Sequence, residues 1–271
     1  METGQKPFCW QLAGPLCAAI LAGCGGSGGV DPDGTVLPLP SGSAGLEILG
    51  NTFSGDAMGM AFDDGGTLSA GERFSVNFLD EDLAIITIDG RSTLLSFDGI
   101  SRYDSEDGLA SIFFSKGPVD GVIDADVVAL TIVDQNAPDE QQHLYNFITG
   151  NDTDAENVPT FGVVSFTGTG QFWDKDANVS VATITLNANF GGDLVVGSIT
   201  QGIPGIPSAR LLIDPGPISG AGFSGTISGD GFTATGEYDG GFFGTTASTA
   251  AATANASTDF GNVTGRFIVT R

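Results

Sequence analysis

Ser180-Val-Ala-Thr-Ile-Thr-Leu-Asn-Ala-Asn-Phe190 decides the fold class. Ala182, Ile184, Leu186, Ala188 and Phe190 share one parity, and Thr183, Thr185, Asn187 and Asn189 share the other. Side chains leave a strand on alternate faces, so this run has one core face and one wet face. The same period recurs at Phe223–Ile227, at Phe232–Tyr238 after Gly229-Asp230-Gly231, and at Val263–Val269. No long segment carries the 3.6-residue apolar period of a helix. With 42 glycines and runs of Val, Ile, Thr and Phe, the chain reads as all-β.

Counting outward from that run, strands are expected near 160–168, 179–190, 194–200, 208–213, 221–228, 232–239, 241–255 and 262–270. These eight suffice to close a small antiparallel barrel, which removes exposed sheet edges. Gly225, Gly236 and Gly265 fall on the inward parity, where they relieve crowding and let strands bend. The same alternation is compatible with a β-sandwich.

The region before it is also β-rich. Leu83–Ile88 runs into Asp89-Gly90, a pair that tolerates the positive φ angles of a type I′ turn, and Ser92–Phe97 follows before Asp98-Gly99. Further strands are expected at 72–78, 109–114, 126–133 and 145–149, with a short helical turn at Pro138–His143. Asn151-Asp-Thr-Asp-Ala-Glu-Asn157 is the polar interruption expected to separate a β-rich domain over 46–157 from the barrel over 158–271.

Upstream, an apolar run beginning near Leu12 ends in Leu21-Ala-Gly-Cys24 and opens onto Gly25-Gly-Ser-Gly-Gly29. The run is interrupted by Gly14 and Pro15 and is shorter than the roughly 20 residues a membrane-spanning helix needs. Small residues before a cysteine at the end of such a segment form a lipoprotein cleavage site. Residues 1–23 are therefore expected to be a signal peptide, and Cys24 the lipidation site that ties the protein to a membrane. The Gly, Ser, Pro and Asp residues up to position 45 read as a flexible tether. Cys9 and Cys17 leave with the signal, so a lipidated Cys24 leaves the mature chain without a disulfide or a thiolate site.

A formal charge of −24, from 33 acidic against 9 basic residues, excludes nucleic acid as a partner, because a phosphate backbone would be repelled and the basic residues form no stripe. His143 is the only histidine, and no Gly-x-Ser-x-Gly sequence stands in a strand-to-helix setting. A non-enzyme is expected.

Tyr145-Asn-Phe-Ile-Thr-Gly150, Thr153, Pro159, Gly162 and Phe166-Thr-Gly168 resemble the entry into the barrel domain of transferrin-binding protein B-like surface lipoproteins. Thr183–Gly192 with Gly197-Ser-Ile-Thr200 resembles that family's long strand, tight turn and returning strand. Gly222–Ile227 and Gly240-Gly-Phe-Phe-Gly244 resemble its penultimate hairpins. The sequence departs from the family after Gly244, where Thr245–Asn255 replaces its proline, alanine, glutamate and paired glycines. The resemblance implies a β-rich handle-like domain followed by an eight-stranded barrel, as a single lobe. It also implies a lipid anchor in the Gram-negative outer membrane, at the cell surface or on its periplasmic face, and a host or environmental protein or a haem-type ligand as partner.

Several side chains are candidates for that role. Phe172, Trp173, Phe242 and Phe243 near expected loops are candidates for an apolar contact surface. His143 and Tyr145, two residues apart, are candidate haem ligands, since imidazole and phenolate both serve iron. Asp174, Asp176 and Asn178 alternate as in the first half of a calcium loop but lack its glycine and closing glutamate; Asp31-Pro-Asp33-Gly34 and Asn151–Asp154 are similar. Ordinary polar turns explain the same residues. The expectation is a lipid-anchored binding module for a protein or small ligand, in iron or haem acquisition, against a structural envelope lipoprotein with no small-molecule ligand. A solid interior and loops without a contiguous apolar patch would favour the latter.

Overall fold

The computed structural model describes residues 52–62, 66–80, 82–97, 102–106, 108–114, 127–135, 141–200 and 210–271. The signal segment, Cys24, the tether, Asp31–Gly34, Asp98-Gly99 and the first half of the expected turn at Pro138 lie outside them.

Among the described residues, sixteen strands form two closed antiparallel barrels of eight. The first comprises β1 (Thr52–Ala61), β2 (Leu68–Phe78), β3 (Leu83–Ile88), β4 (Arg91–Phe97), β5 (Arg102–Ser105), β6 (Ala110–Phe114), β7 (Val127–Asp134) and β8 (His143–Gly150). Each strand pairs with the next, and β8 returns to β1 through Met58↔Asn146 and its neighbours. The handle-like region is thus itself a barrel. Asp89 and Gly90, at φ 47° and 80°, join β3 to β4 as the two-residue turn their sequence predicts. His143 opens β8 instead of closing a helical turn.

The second barrel comprises β9 (Val163–Asp174), β10 (Val179–Asn189), β11 (Leu194–Thr200), β12 (Arg210–Ser219), β13 (Gly222–Gly229), β14 (Ala234–Phe243), β15 (Thr249–Thr258) and β16 (Gly261–Thr270). It closes through β16 against β9. Strand number and order match the sequence reading, but boundaries move. β9 extends to Asp174, and β14 takes in Phe242 and Phe243. β12 runs on through Pro215 and Pro217, where its pairing with β13 is interrupted between Ile213 and Ile218. Proline has no N–H to give a ladder, and an interruption is where a strand tolerates it. Side chains take over there: Tyr238 Oη donates to the Asp214 carbonyl at 3.0 Å, and Thr226 and Ser228 donate to the Asp214 carboxylate.

Both interiors are filled. Ala182, Ile184, Leu186, Ala188 and Phe190 are all buried, as their parity requires, among Phe166, Phe172, Phe223, Tyr238, Phe242 and Phe267. Burying one such large side chain contributes about 1.5–3 kcal/mol. Gly225 stands opposite Tyr238, where a Cβ would lie 2.6 Å from the phenol oxygen, and Gly265 faces the Phe172 ring in the same way. The first barrel is filled by Phe74, Phe78, Ile86, Leu95, Tyr103, Ile112, Leu130 and Phe147. Core side chains point inward and Thr, Ser and Asn largely point outward, the inverse of a membrane-spanning barrel.

Alternation is lost over parts of β1, β8 and β16 and most completely in β7 and β15. Every described position of β7, and every position of β15 from Thr249 to Ala256, is buried. Their outward faces meet in the seam between the barrels, where Val127 packs with Phe243 and Ala251, flanked by Ile148 and Ile268. Strands covered on both sides lose the period of two. The connector from β8 to β9 is tied to the second barrel: Thr153 N–H donates to the Phe242 carbonyl at 2.9 Å, and its hydroxyl donates to Gly244 O at 2.7 Å.

Candidate functional site

At one end of the second barrel, the chain enters β9 beside the turn from β10 to β11. Phe190 N–H donates to Gly162 O at 2.9 Å, and Gly192 N–H donates to the Asn189 side chain at 3.1 Å, which fixes this corner. Val163 and Leu194 pair with Asn189 from opposite sides, so the three outward side chains form one row that continues to Pro217 on β12. In the next row, Ser165 donates to Asn187 at 2.6 Å and Val196 pairs with Asn187 from the other side. Phe161 is 82% exposed, Val163 65%, Leu194 41% and Val196 42%. Scattered apolar side chains on a surface need no explanation, but here an aromatic and three aliphatics gather at one corner around an asparagine pair, a mixed apolar and amide rim suited to protein contact.

Beside the seam lies a cleft of about 220 Å³ lined by Asp56 of β1, Asp152 of the connector and Asp239 of β14, over Ile148 and Phe243. Burial raises the Asp239 pKa above the usual carboxylate range, with smaller contributions from the charges of Asp56 and Glu237. Burial does the same at Asp152.

The aromatic candidates from the sequence are dispersed. Phe172 and Phe242 are core residues, 1% and 0% exposed, with Phe242 centred 5.0 Å from Phe223 and 5.2 Å from Phe190. Phe243 is buried in the seam. These three are therefore corrected from surface to interior: Phe172 and Phe242 lie on the inward parity of their strands, and Phe243, on the outward parity of β14, is covered at the seam. Trp173 is half-buried with the Arg266 guanidinium 5.7 Å from its ring centre, a seam position away from the rim.

His143 and Tyr145 do come together in the first barrel, their rings stacked 5.7 Å apart, with 3.2 Å between Tyr145 Oη and His143 Nδ1. Burial, then the charges of Glu72, Asp134 and Asp89, pushes the phenol pKa up against a smaller opposing effect of Arg91. The buried phenol is engaged with the imidazole. Asp174 and Asn178 also meet, but as a turn: Asp174 Oδ1 accepts the N–H groups of Asp176 and Asn178, each at 2.9 Å, and the Asn178 amide covers the other oxygen. Asp176 pairs with Lys175 at 2.8 Å. The calcium reading gives way to the polar-turn reading, because the first carboxylate is occupied by its own backbone. Among the described residues no group of three or more His, Cys, Asp or Glu side chains is placed to hold a metal.

The rim escaped the sequence reading. Its signal is Leu194-Val-Val196, three apolar residues in succession on a strand whose neighbour alternates, together with Phe161 and Val163 at a strand entry.

This geometry defines an all-β lobe of two side-chain-filled barrels, the lobe architecture of transferrin-binding protein B-like lipoproteins. Transferrin-binding protein B from Haemophilus parasuis Hp5, a vaccine antigen solved as a point mutant, is similar at 14% identity and TM-score 0.50, over 79% of this chain and 44% of that one. Isotype 1 of the protein from serogroup B Neisseria meningitidis matches at 13% identity and TM-score 0.50, over 80% and 43%. The haemoglobin receptor HpuA from Kingella denitrificans matches at 13% identity and TM-score 0.47, over 82% and 86%. The chain spans less than half the length of the two transferrin-binding proteins, and identity this low shows the fold alone. No family model and no curated protein matches the sequence.

Proposed function

We propose that this chain is a lipid-anchored surface lipoprotein, held in the outer membrane through Cys24, whose C-terminal barrel captures an iron-carrying protein for iron or haem acquisition. The observation that carries the reading is the exposed rim of Phe161, Val163, Leu194 and Val196 on a barrel whose interior is already filled. A filled barrel favours a surface ligand over one held inside it, and an exposed rim of apolar and amide side chains favours a protein partner over a passive spacer. The fold shared with proteins named for transferrin binding supports the same direction. The acidic surface directs the choice toward partners with basic patches.

The test is binding of the purified chain from Gly25 onward to immobilised transferrin and haemoglobin and to free haem. Binding to one of the two proteins, weakened at least tenfold by Phe161→Ser with Val163→Ser, supports the proposal. Absence of binding to all three probes removes the uptake reading and leaves the envelope spacer as the better account.

A further inference from the structure

We propose that Arg266 is a registration pin that locks the two barrels into a single cooperative body. Arg266 lies on the outward face of β16 between the inward-facing Gly265 and Phe267, yet it is only 4% exposed because the first barrel covers it. Its Nε donates to Thr131 Oγ1 of β7 at 2.9 Å, and one terminal nitrogen donates to Gln171 Oε1 of β9 at 2.9 Å. Its guanidinium also faces the Trp173 ring.

The contacts continue as one chain. The Thr131 hydroxyl accepts from Arg266 and donates to Asn146 Oδ1 at 3.2 Å. The Asn146 amide donates across the seam to Thr264 Oγ1 at 3.1 Å, and Thr264 donates to Asn255 Oδ1 at 2.6 Å. The Asn255 amide then crosses back to the Ser69 carbonyl at 2.6 Å and the Gly59 carbonyl at 3.3 Å. The path crosses between barrels at three places, from a buried cation at one end to backbone carbonyls at the other.

A pin is needed because of what surrounds it. The seam face of β15 carries Thr249, Ala251, Thr253 and Asn255, and alanine and threonine allow close approach without fixing one alignment. Apolar contact is non-directional, whereas a buried donor misplaced by one residue loses its acceptor and retains its desolvation cost. Burial lowers the Arg266 pKa to about 9, so the group carries its charge into the seam at neutral pH. A buried charge whose acceptors sit partly on the opposite barrel couples the integrity of each barrel to the other.

The experiment uses the full chain with Trp10→Phe, which leaves Trp173 as the sole tryptophan and thus a reporter of the seam. Urea unfolding is followed by Trp173 emission and by far-ultraviolet circular dichroism. The parent should give coincident transitions. Thr131→Val, which removes the acceptor from the opposite barrel while keeping the side-chain shape, should shift Trp173 emission to the red and bring its transition to lower urea than the loss of strand signal. Arg266→Met should do the same, and combining the two should add little to Arg266→Met alone. If Arg266→Met does not fold, Thr131→Val carries the test. Parent transitions that already separate, a Trp173 signal indifferent to Thr131→Val, or fully additive effects of the two substitutions would overturn the proposal.

Discussion

β10 and β15 are strands of similar length in the same barrel, and they obey opposite rules. β10 alternates because solvent covers its outer face, and its four central inward positions are all buried. β15 is buried from Thr249 to Ala256 because the first barrel covers its outer face. The inward positions of β10 use Ala, Ile and Leu, while β15 places alanine at Ala250, Ala252, Ala254 and Ala256. β7, also covered on both faces, carries Val, Leu and Ile instead, so double coverage removes the alternation without fixing side-chain size. Alternation therefore reports how many faces of a strand are wet.

Four outcomes would break or sharpen this contrast. The largest effect belongs to Ala251→Asp, which places a carboxylate among Val127, Phe243 and Ile268 in the seam. It should cost about 3–5 kcal/mol in urea unfolding, the range for an uncompensated buried charge. Leu186→Ala on β10 should cost about 2–5 kcal/mol through the cavity it leaves, read in the same assay. Third, Glu72 of the first barrel has a pKa above its ordinary 4.5, raised by its hydrogen bond with Asp89, then by burial and by the Asp89 charge, with His143 opposing. Proton binding to the folded state thus stabilises it below 4.5, and that contribution fades as pH rises through the elevated folded value. Glu72→Gln should flatten the decline of unfolding free energy just above pH 4.5. The smallest effect is expected for Thr183→Asp on the wet face of β10, within about 0.5 kcal/mol of the parent. A Thr183→Asp cost as large as that of Ala251→Asp would erase the distinction between the strands.

The same contrast explains what the sequence disclosed. Where one face is wet, as in Ser180–Phe190, the period of two was legible and the inward set was assigned residue by residue. Asp89-Gly90 was legible because a two-residue turn depends on local backbone preference alone. The split of Thr245–Asn255 into a turn and β15 was not, since a run of Ala and Thr covered on both faces has no period to read. That run is also where the chain departs from the family it resembles, and its strand forms the seam. β1 was missed because Gly55, Gly59 and two methionines at Met58 and Met60 blur its alternation, and four-residue β5 is too short to show one. Phe172, Phe242 and Phe243 are aromatics near turns, but β9 runs on to carry Phe172 inside, Phe242 is the last inward-facing residue of β14, and the seam covers Phe243. Arg266 is a single basic residue in an apolar strand, and only tertiary structure shows it reaching Thr131, 135 positions away.

The central claim, a lobe displayed at the cell surface to capture a partner, is tested most directly by protease treatment of intact cells expressing the full chain beside a Cys24→Ala control. The account predicts cleavage of the anchored protein on intact cells, and loss of that surface cleavage in the Cys24→Ala chain. Protection until the outer membrane is opened would place the lobe on the periplasmic side and contradict capture of an external protein.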